Sequence, residues 1–504
     1  MMKTKEILYR CFYGIFMFLF GFVTLKVLFG DTVRNYNTLL LLFTTFVGII
    51  LMVGVYLLLK KFENPIRKYY KYILIGFLVI YGIVLLYFGF LLRFTPVFDM
   101  GAIYDGAIQW VEEGSFSNHY DYFGSFPNNL GSMSFLHFFF YIASLFGIHD
   151  YFAVGIVLNT FLFLSTVLFT SLICKKLNNC TAGLLSLVFY MLCLPFYFIS
   201  AVFYTDALSL LFPVLCYYLY LCFKEQTSWK KRIIFSVLMA LSLVVGAMMK
   251  FTVIIILIAI LIDAFLSIHW KPFLLMAGIC IGLVTIGLSG FDFYIYHYHI
   301  TDKTYQDMET PYLHWIMMGL QNNGNYNPDD YVYTRAFPAN ERKQACLTVI
   351  KERIHELGFD GLTRLWTNKA MVCFGDGTYA LSDFLDDTPE HDAFVHKYIL
   401  YSGEKFSDYQ HLTTGILLAL YCLCVYGCAI AAFSKKKTGD FLCLAPRLAV
   451  MGILAFLLLW ESNSRYFTNF IPMIIICAVL AISWKDWKKI SNKVSINDIE
   501  YEKE

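Results

Sequence analysis

The chain has 504 residues, of which 59% are hydrophobic, 18% aromatic and only 15% charged. Soluble domains usually carry about 25% charged residues, so this composition excludes a soluble globular protein. The formal net charge is +2. No basic patch with interleaved aromatic residues occurs, so nothing indicates nucleic acid as a partner.

Apolar runs long enough to cross a bilayer recur along the chain. The N-terminal run lacks a small-residue cleavage site, which favours a retained first helix over a cleaved signal peptide. The sequence predicts an all-α polytopic membrane protein with about twelve transmembrane helices. The predicted spans are 11–30, 37–60, 72–93, 150–174, 181–199, 206–224, 232–249, 251–268, 272–292, 412–433, 443–460 and 466–483.

Basic residues decide the predicted orientation, because cytoplasmic loops carry an excess of lysine and arginine. With twelve spans, every basic cluster lies on the same side of the membrane, so both termini are expected in the cytoplasm. The clusters are Lys3, Lys5 and Arg10, KKFENPIRKYYK at 60–71, KK at 175–176, KEQTSWKKR at 224–232, SKKK at 434–437 and WKDWKK at 484–489.

This topology places two large loops outside the cytoplasm. The short apolar run SFLHFFFYIASLFG (134–147) is too short to cross comfortably, and we interpret it as an interfacial or re-entrant helix. The predicted regions are three N-terminal spans at 1–93, a first outer loop at 94–149, a six-span core at 150–292, an extracytoplasmic loop domain at 293–411, and three spans with a cytoplasmic tail at 412–504.

The second outer loop contains one strongly patterned segment. Residues 341–370 have apolar positions at helical spacing and predict one or two amphipathic helices ending near Gly358 and Gly361. Cys346 and Cys373 could form a disulfide, although two isolated cysteines are usually free thiols. No CxxC pairs with a second CxxC or with HxxxH, so a zinc site is not indicated.

Carboxylates occur where the chain leaves the apolar runs on the outer side. Asp99 and Asp105 lie in FTPVFDMGAIYDGA, just past the third span, and Asp206 lies in AVFYTDALSLLF at the start of the sixth. An ionisable group near lipid is costly and tends to mark function. The alternatives are that Asp99 and Asp206 cap helices, with Thr205 equally suited as a cap, and that Asp105 lies on a solvated face.

Two cations fall on the same predicted face. Lys250 separates two apolar runs in GAMMKFTVIII, and Arg465 follows Glu461 in the short turn WESNSRYFTNFIPM. A lysine and an arginine here suit a phosphate group, to which arginine offers bidentate contacts. The alternatives are a lysine that snorkels to the interface and an arginine that pairs with Glu461.

The second outer loop adds candidates for contacts with an acceptor or a sugar. His314 and Trp315 lie in ETPYLHWIMMGLQNNGNY (309–326), and Asp376 and Tyr379 lie in FGDGTYA (374–380). Aromatic faces suit stacking on sugars, and equally suit an interfacial belt. GDGT is also a good turn sequence.

In their order and shared sidedness, these motifs resemble the GT-C class of membrane glycosyltransferases. The likeness is to family 39, the branch of protein O-mannosyltransferases and aminoarabinose transferases, in its Gram-positive bacterial type. Asp99 matches the place of the catalytic base, and Asp206 in YTDALSLLF resembles a second aspartate that opens a later span. Lys250 in MMKFT and Arg465 in RYFTNFIP match the later elements, although MMKFT lacks the usual glycine and Asp99 is not followed by a second acid.

The resemblance implies a donor sugar carried on a polyprenyl phosphate and direct displacement with inversion. It implies Asp99 and Asp206 as catalytic residues and Lys250 and Arg465 as donor-phosphate contacts. A divalent metal such as Mg or Mn, held partly by Asp206, is a further expectation. The acceptor could be a cell-wall polymer, a lipid-linked glycan or a protein, in a bacterial plasma membrane.

Two other functions fit the same topology. Twelve spans with cytoplasmic termini are common in secondary transporters, but the sequence shows no repeated halves and its second outer loop is unusually long for one. A lipid-linked polymer ligase would use similar donors with another arrangement of outer arginines.

Overall fold

The computed structural model describes residues 2–30, 36–386, 393–433 and 444–484. Within these ranges the chain is helical and contains no β-strand. The predicted basic clusters SKKK and, beyond Trp484, WKDWKK lie outside the described residues.

Twenty-two α-helices make up the described chain. They are α1 Met2–Phe29, α2 Thr38–Lys61, α3 Glu63–Leu91, α4 Phe98–Glu113, α5 Tyr120–Ser125, α6 Leu130–Leu145, α7 Tyr151–Leu177, α8 Cys180–Leu192, α9 Thr205–Leu208, α10 Leu211–Lys224, α11 Trp229–Met249, α12 Ile254–Ser267, α13 Trp270–Tyr298, α14 Lys303–Gln306, α15 Tyr312–Met318, α16 Pro328–Arg335, α17 Ala339–Phe374, α18 Ser382–Leu385, α19 His396–Ile399, α20 Phe406–Phe433, α21 Leu444–Leu459 and α22 Ile471–Ile482. Short 3₁₀ helices occupy Ser117–His119, Pro127–Asn129, Leu194–Tyr197, Ile199–Ala201, Phe251–Val253 and Ser464–Phe470.

Nine helical segments of the described chain are long and apolar enough to cross a membrane. They are Ile7–Phe29, Thr38–Lys61, Glu63–Leu91, Tyr151–Leu177, Thr205–Lys224, Trp229–Met249, Trp270–Tyr298, Phe406–Phe433 and Ser464–Ile482. Three shorter apolar segments, Cys180–Leu192, Phe251–Ser267 and Leu444–Leu459, coincide with the other three predicted spans. The protein is an all-helical polytopic membrane protein, as its composition predicts.

Local sequence chemistry sets several of the helix ends. Asn37 accepts a hydrogen bond from the Leu40 N–H (3.1 Å) at the start of α2, and Asp150 accepts one from the Ala153 N–H (3.1 Å) at the start of α7. These side chains satisfy N–H groups that have no partner within the helix. Lysines occupy the last turns of α2 and α7, where the helix dipole favours a positive charge.

At one end of the bundle, the start of α1 lies together with the ends of α7, α10, α20 and α22. Gly427 packs against Ala481 there, which brings the last turns of α20 and α22 together. We call this the Arg10 end. Its polar contacts are Arg10 to the Ala432 carbonyl (3.2 Å), Asn178 to the Ser483 hydroxyl (2.7 Å), and the ion pairs Lys176–Glu225 and Lys224–Asp263.

The opposite end, which we call the Asp99 end, carries Asp99, Asp206, Lys250 and Arg465. Its other contacts are Asn37 N–H to His411 Nε2 (2.8 Å), the Tyr36 hydroxyl to the Gly375 carbonyl (2.8 Å), and Arg93 Nη1 to Asp150 Oδ2 (2.7 Å). The four candidate residues therefore share one end, and Arg10 and Lys176 lie at the other. The compartment that each end faces stays a prediction from the basic residues.

Helix α6 contains most of the run predicted to be interfacial. Gly131 at its start lies so close to α11 that a Cβ atom there would be 1.9 Å from the Met248 carbonyl oxygen, so only glycine fits. This approach holds α6 beside Lys250, which follows α11. Further along α6, Phe138 and Tyr141 are exposed, which leaves an apolar face open.

The second outer segment builds a small core of its own. Met317, Leu320, Cys346, Ile350 and Leu365 form it. A partly buried ion pair between Arg353 Nη2 on α17 and Asp330 Oδ1 on α16 (2.7 Å) supports it.

Helix α17 bends once, at Gly358. This residue has a φ of 57° and a ψ of −167°, in the left-handed region that glycine tolerates. Two helical segments therefore meet at Gly358, where the sequence predicts a helix end, whereas Gly361 lies buried within the second segment. Cys346 and Cys373 are both free thiols on α17, so they form no disulfide.

Candidate functional site

Asp99 lies in the first turn of α4 and is held by two tyrosines from other segments. The Tyr122 hydroxyl donates to Asp99 Oδ1 (2.7 Å), and the Tyr204 hydroxyl donates to Oδ2 (3.1 Å). Asn129 Nδ2 in turn donates to the Tyr122 hydroxyl (2.6 Å). The side chain of Asp99 does not cap α4, because Val97 occupies the N-cap position and no side chain bonds there. The hydrogen bonds fix the carboxylate in one orientation while each oxygen keeps a lone pair for another donor.

Asp206 and Lys250 form an ion pair across α9 and the end of α11. The pair is largely buried, with 8% of the Asp206 side chain and 11% of the Lys250 side chain exposed. Asp206 Oδ1 accepts from Lys250 Nζ, and buried Oδ2 has no hydrogen-bond partner among the described residues. Lys250 is thus a paired cation and not a lysine that snorkels alone. Asp206 does not cap a helix, since Tyr204 is the N-cap of α9.

Arg465 is surrounded by aromatic rings. Its guanidinium carbon lies 5.1 Å from the ring centre of Tyr204, 5.1 Å from that of Tyr466 and 5.4 Å from that of Phe384. In the described chain no carboxylate pairs with it, and its buried Nε has no hydrogen-bond partner. Cation–π contacts stabilise the charge only in part, so this arginine retains donors for an anion.

Glu461 does not pair with Arg465, although the sequence offered that pairing as an alternative to phosphate binding. Its Oε2 accepts instead from the Tyr466 hydroxyl (3.0 Å), and the Tyr466 ring lies 4.6 Å from Lys250 Nζ. Burial raises the pKa of Glu461, and the nearby charge of Arg465 opposes that rise. Glu461 is therefore a buried acid at the Asp99 end, and its hydrogen bond with Tyr466 orients it.

A partly open pocket lies beside Arg465. Most of its wall is apolar, and the charged groups that reach it are Asp206 and Arg465. The lining residues are Pro195, Phe196, Ile199, Val202, Tyr204, Asp206, Ala207, Thr378, Tyr379, Leu381, Phe384, Arg465 and Thr468. Such a pocket suits a ligand that carries a negative charge next to an apolar group.

The predicted contact residues of the second outer loop have different positions. Tyr379 lines the pocket and packs against Phe196, with ring centres 5.7 Å apart. Trp315 is partly exposed and stacks on Trp460, which precedes Glu461. These two predicted residues thus lie at or beside the Asp99 end.

Of the other three predicted contacts, two are not brought to this cluster, and Asp376 lies beside it, bonded to the residue that precedes Arg465. His314 is fully buried in the small core of the outer segment, where its Nδ1 lies 2.8 Å from Thr334 Oγ1. Asp376 is also fully buried, and its carboxylate accepts from the hydroxyls of Thr378 (2.8 Å) and Ser464 (2.7 Å). Asp105 is exposed on α4, and no described contact joins it to Asp99. Burial and turn formation explain the first two, and a solvated helix face explains the third.

The sequence matches a protein-family profile over residues 1–486, whose description is conserved hypothetical integral membrane protein. The chain belongs to this family. That description agrees with the apolar helices and assigns no activity. A comparison with curated proteins finds no matching relative.

The site of this integral membrane protein does not fit a divalent ion held by Asp206. Mg²⁺ and Mn²⁺ favour oxygen ligands, usually from more than one carboxylate. Among the described residues no group of three or more His, Cys, Asp or Glu side chains is arranged to hold a metal. One oxygen of Asp206 is already occupied by Lys250, and Arg465 adds a second positive charge nearby.

Several residues of the cluster were not selected from the sequence as site residues. Tyr122, Tyr204 and Asn129 orient Asp99, and Lys369 fixes the neighbouring turn by donating to the carbonyls of Gly319 (2.9 Å) and Trp460 (2.6 Å). Lys369 has no exposed surface, and its burial lowers its pKa to about 8. Tyr204 could have been recognised from the sequence, because it lies two residues before Asp206. Lys369 could not, because nothing in the sequence distinguishes it from the other lysines of an amphipathic helix.

His314 makes the stability of the outer segment depend on pH. Burial lowers its pKa to about 4, whereas an unfolded histidine has a pKa of about 6.5. Between these values the unfolded chain binds more protons, so the stability present above about pH 6.5 is lost as the pH falls. We expect a loss of roughly 2 kcal/mol at about pH 5. Hydrogen exchange of residues 312–335, corrected for intrinsic rates, measures it.

The matched control for this pH effect is His314→Gln, which removes the titration and keeps a polar side chain. Its protection should change less between neutral and acidic buffer than that of the parent. Equal acid sensitivity in both proteins would assign the effect to another group.

Proposed function

We propose that this integral membrane protein is a glycosyltransferase that moves a sugar from a polyprenyl-phosphate donor to an extracytoplasmic acceptor. One observation carries the proposal. A carboxylate oriented by two tyrosines, Asp99, lies at the same end as Arg465, a caged cation that pairs with no described carboxylate. The Tyr204 side chain contacts both groups, since its hydroxyl donates to Asp99 and its ring lies beside the Arg465 guanidinium. Asp99 and Arg465 are therefore bridged by one tyrosine side chain.

Asp99 is suited to act as the general base. Sugar transfer requires that the acceptor hydroxyl lose its proton as its oxygen attacks the anomeric carbon. The carboxylate accepts that proton, the new carbon–oxygen bond forms, and the bond from the anomeric carbon to the phosphate oxygen breaks with its electron pair on the phosphate. Attack opposite the leaving phosphate inverts the anomeric centre.

Arg465 is suited to stabilise the leaving phosphate. Negative charge on the leaving phosphate increases as its bond to the sugar breaks, and a fixed cation in a buried site lowers the energy of that state. Lys250 is a second cation at the same place, with its charge balanced by Asp206. Asp206 thus has a role in holding Lys250, which differs from the catalytic and metal roles expected from the resemblance.

The apolar pocket beside Arg465 is suited to the first part of the lipid chain. Pro195, Phe196, Leu381 and Phe384 offer apolar contacts next to the guanidinium. The outer segment packs over the same end, because the Ser462 N–H donates to the Gly324 carbonyl (2.7 Å). A phosphate at Arg465 would have its lipid on the apolar side and its sugar towards Asp99. The plasma membrane of a bacterium, with cytoplasmic termini, is the location that we propose.

The test is turnover by the purified full chain in nanodiscs. Radiolabelled polyprenyl-phosphate sugars and a membrane-glycan extract are supplied, and both polyprenyl phosphate and labelled product are measured. Release of one polyprenyl phosphate per transferred sugar is the expected result. If no donor is turned over while vesicles containing the chain accumulate a sugar or lipid, transport replaces transfer as the function.

A further inference from the structure

A row of aromatic rings lies beside the Asp99 carboxylate. We call it the ring platform and define it as Phe126, Trp315, Tyr331 and Trp460, all partly exposed. Phe126 stacks on Tyr331 with ring centres 5.6 Å apart and lies 6.1 Å from Trp315, and Trp315 stacks on Trp460 at 6.3 Å. The rings come from three separate parts of the chain and pack against one another in a row, and Trp460 also stacks on Phe456 with ring centres 5.0 Å apart.

The ring platform reaches the proposed reaction centre through Phe126. Phe126 lies 5.3 Å, centre to centre, from Tyr122, whose hydroxyl holds Asp99. At the other end Trp460 directly precedes Glu461. Tyr326 is 58% exposed, and partial burial raises its pKa, with smaller contributions from Tyr331, Asp99 and Glu461. A ligand on the platform would therefore reach the carboxylate that we propose as the base.

The platform is edged by a loop that is unusually rich in amides. Residues 321–327 read QNNGNYN. The backbone is held at Gly324, whose carbonyl accepts from the Ser462 N–H. Asn322 and Asn325 are exposed, and neither side chain makes a hydrogen bond within the described chain. Asn322 has a φ of 47°, in the left-handed region that asparagine tolerates better than most residues.

We propose that the ring platform and the 321–327 loop form an acceptor subsite that binds saccharide rings. The C–H faces of a pyranose pack on aromatic rings, and its neighbouring hydroxyl groups pair with amide N–H and C=O groups. The surface offers both kinds of partner within reach of Asp99. A peptide acceptor would not require a row of aromatic rings. A lipid chain would leave the exposed amides of Asn322 and Asn325 without hydrogen-bond partners. The inference rests on the proposed function, and it narrows the acceptor class to glycans.

Saturation-transfer NMR on the full chain in nanodiscs of phosphatidylglycerol and phosphatidylethanolamine tests the subsite. The probes are chitotriose, mannotriose and cellotriose, with a serine- and threonine-rich peptide as the competing class. We expect transfer of magnetisation from the protein to the pyranose ring protons of at least one trisaccharide. Trp315→Ala and Trp460→Ala should each weaken binding roughly tenfold, which is about 1.4 kcal/mol. Trp366→Ala, on an exposed part of α17, is the matched control and should bind as the parent does.

Trp315→Phe keeps a ring and should retain most binding, which separates a lost contact from a misfolded segment. Saccharide binding that is equal in the parent and both platform variants, or no binding of any trisaccharide, overturns the subsite. Transfer to a peptide that the platform variants perform normally overturns it while the proposed function stands. Trisaccharide binding without any turnover supports the subsite and counts against the proposed function. Asp99→Asn should bind saccharide as the parent does, because the subsite binds through the ring platform and the loop.

Discussion

Replacing Asp99 with asparagine should lower kcat for sugar transfer by roughly 10³-fold and leave donor binding nearly unchanged. Asparagine is almost the same shape, and its carbonyl oxygen still accepts from one of the two tyrosine hydroxyls that hold Asp99. It cannot take a proton from the acceptor hydroxyl. Single-turnover release of polyprenyl phosphate, together with donor binding measured separately, distinguishes lost chemistry from lost affinity.

The matched control is Asp105→Asn, six positions along α4. Asp105 is exposed and has no described contact with the cluster, so this change should leave turnover within about twofold of the parent, as surface substitutions usually do. If Asp99→Asn and the parent turn over equally, Asp99 is not the base. Glu461, which is buried and held by Tyr466, would then be the next carboxylate to test.

The common position of the candidate residues could be predicted from the sequence. The alternation of basic clusters placed Asp99, Asp206, Lys250 and Arg465 on one face, and the structure has all four at one end. That prediction needed only the number of spans between them, because each crossing reverses the side. The spans themselves were predictable because apolar runs of this length have few other folds.

Partnerships between helices could not be predicted in the same way. Asp206 pairs with Lys250, and Arg465 contacts three aromatic rings instead of pairing with Glu461. Such contacts depend on the rotation and tilt of packed helices, which close approaches like that of Gly131 to Met248 determine. His314 and Asp376 show the same limit, since a polar residue of an outer loop reads alike whether it faces a ligand or a buried core.

Replacing Arg465 with glutamine should reduce turnover roughly 100-fold or more, the effect expected when a fixed group that stabilises developing charge is removed. Arg465→Lys keeps the charge but loses the planar group that lies 5.1 Å from the ring centres of both Tyr204 and Tyr466, so an intermediate loss of about tenfold is expected. Arg364→Gln, at an exposed position of α17, is the matched control and should behave as the parent does.

Product inhibition by polyprenyl phosphate gives this prediction its decisive readout. A partly buried arginine that pairs with no described carboxylate is stabilised when an anion joins it, because aromatic faces replace only part of its lost hydration. The phosphate should therefore bind the parent well and Arg465→Gln poorly, with the inhibition constant rising along with the loss of turnover. Unchanged inhibition in Arg465→Gln would contradict the phosphate role of Arg465. The phosphate would then have to contact Lys250, which could accept it only by exchanging Asp206 for the ligand.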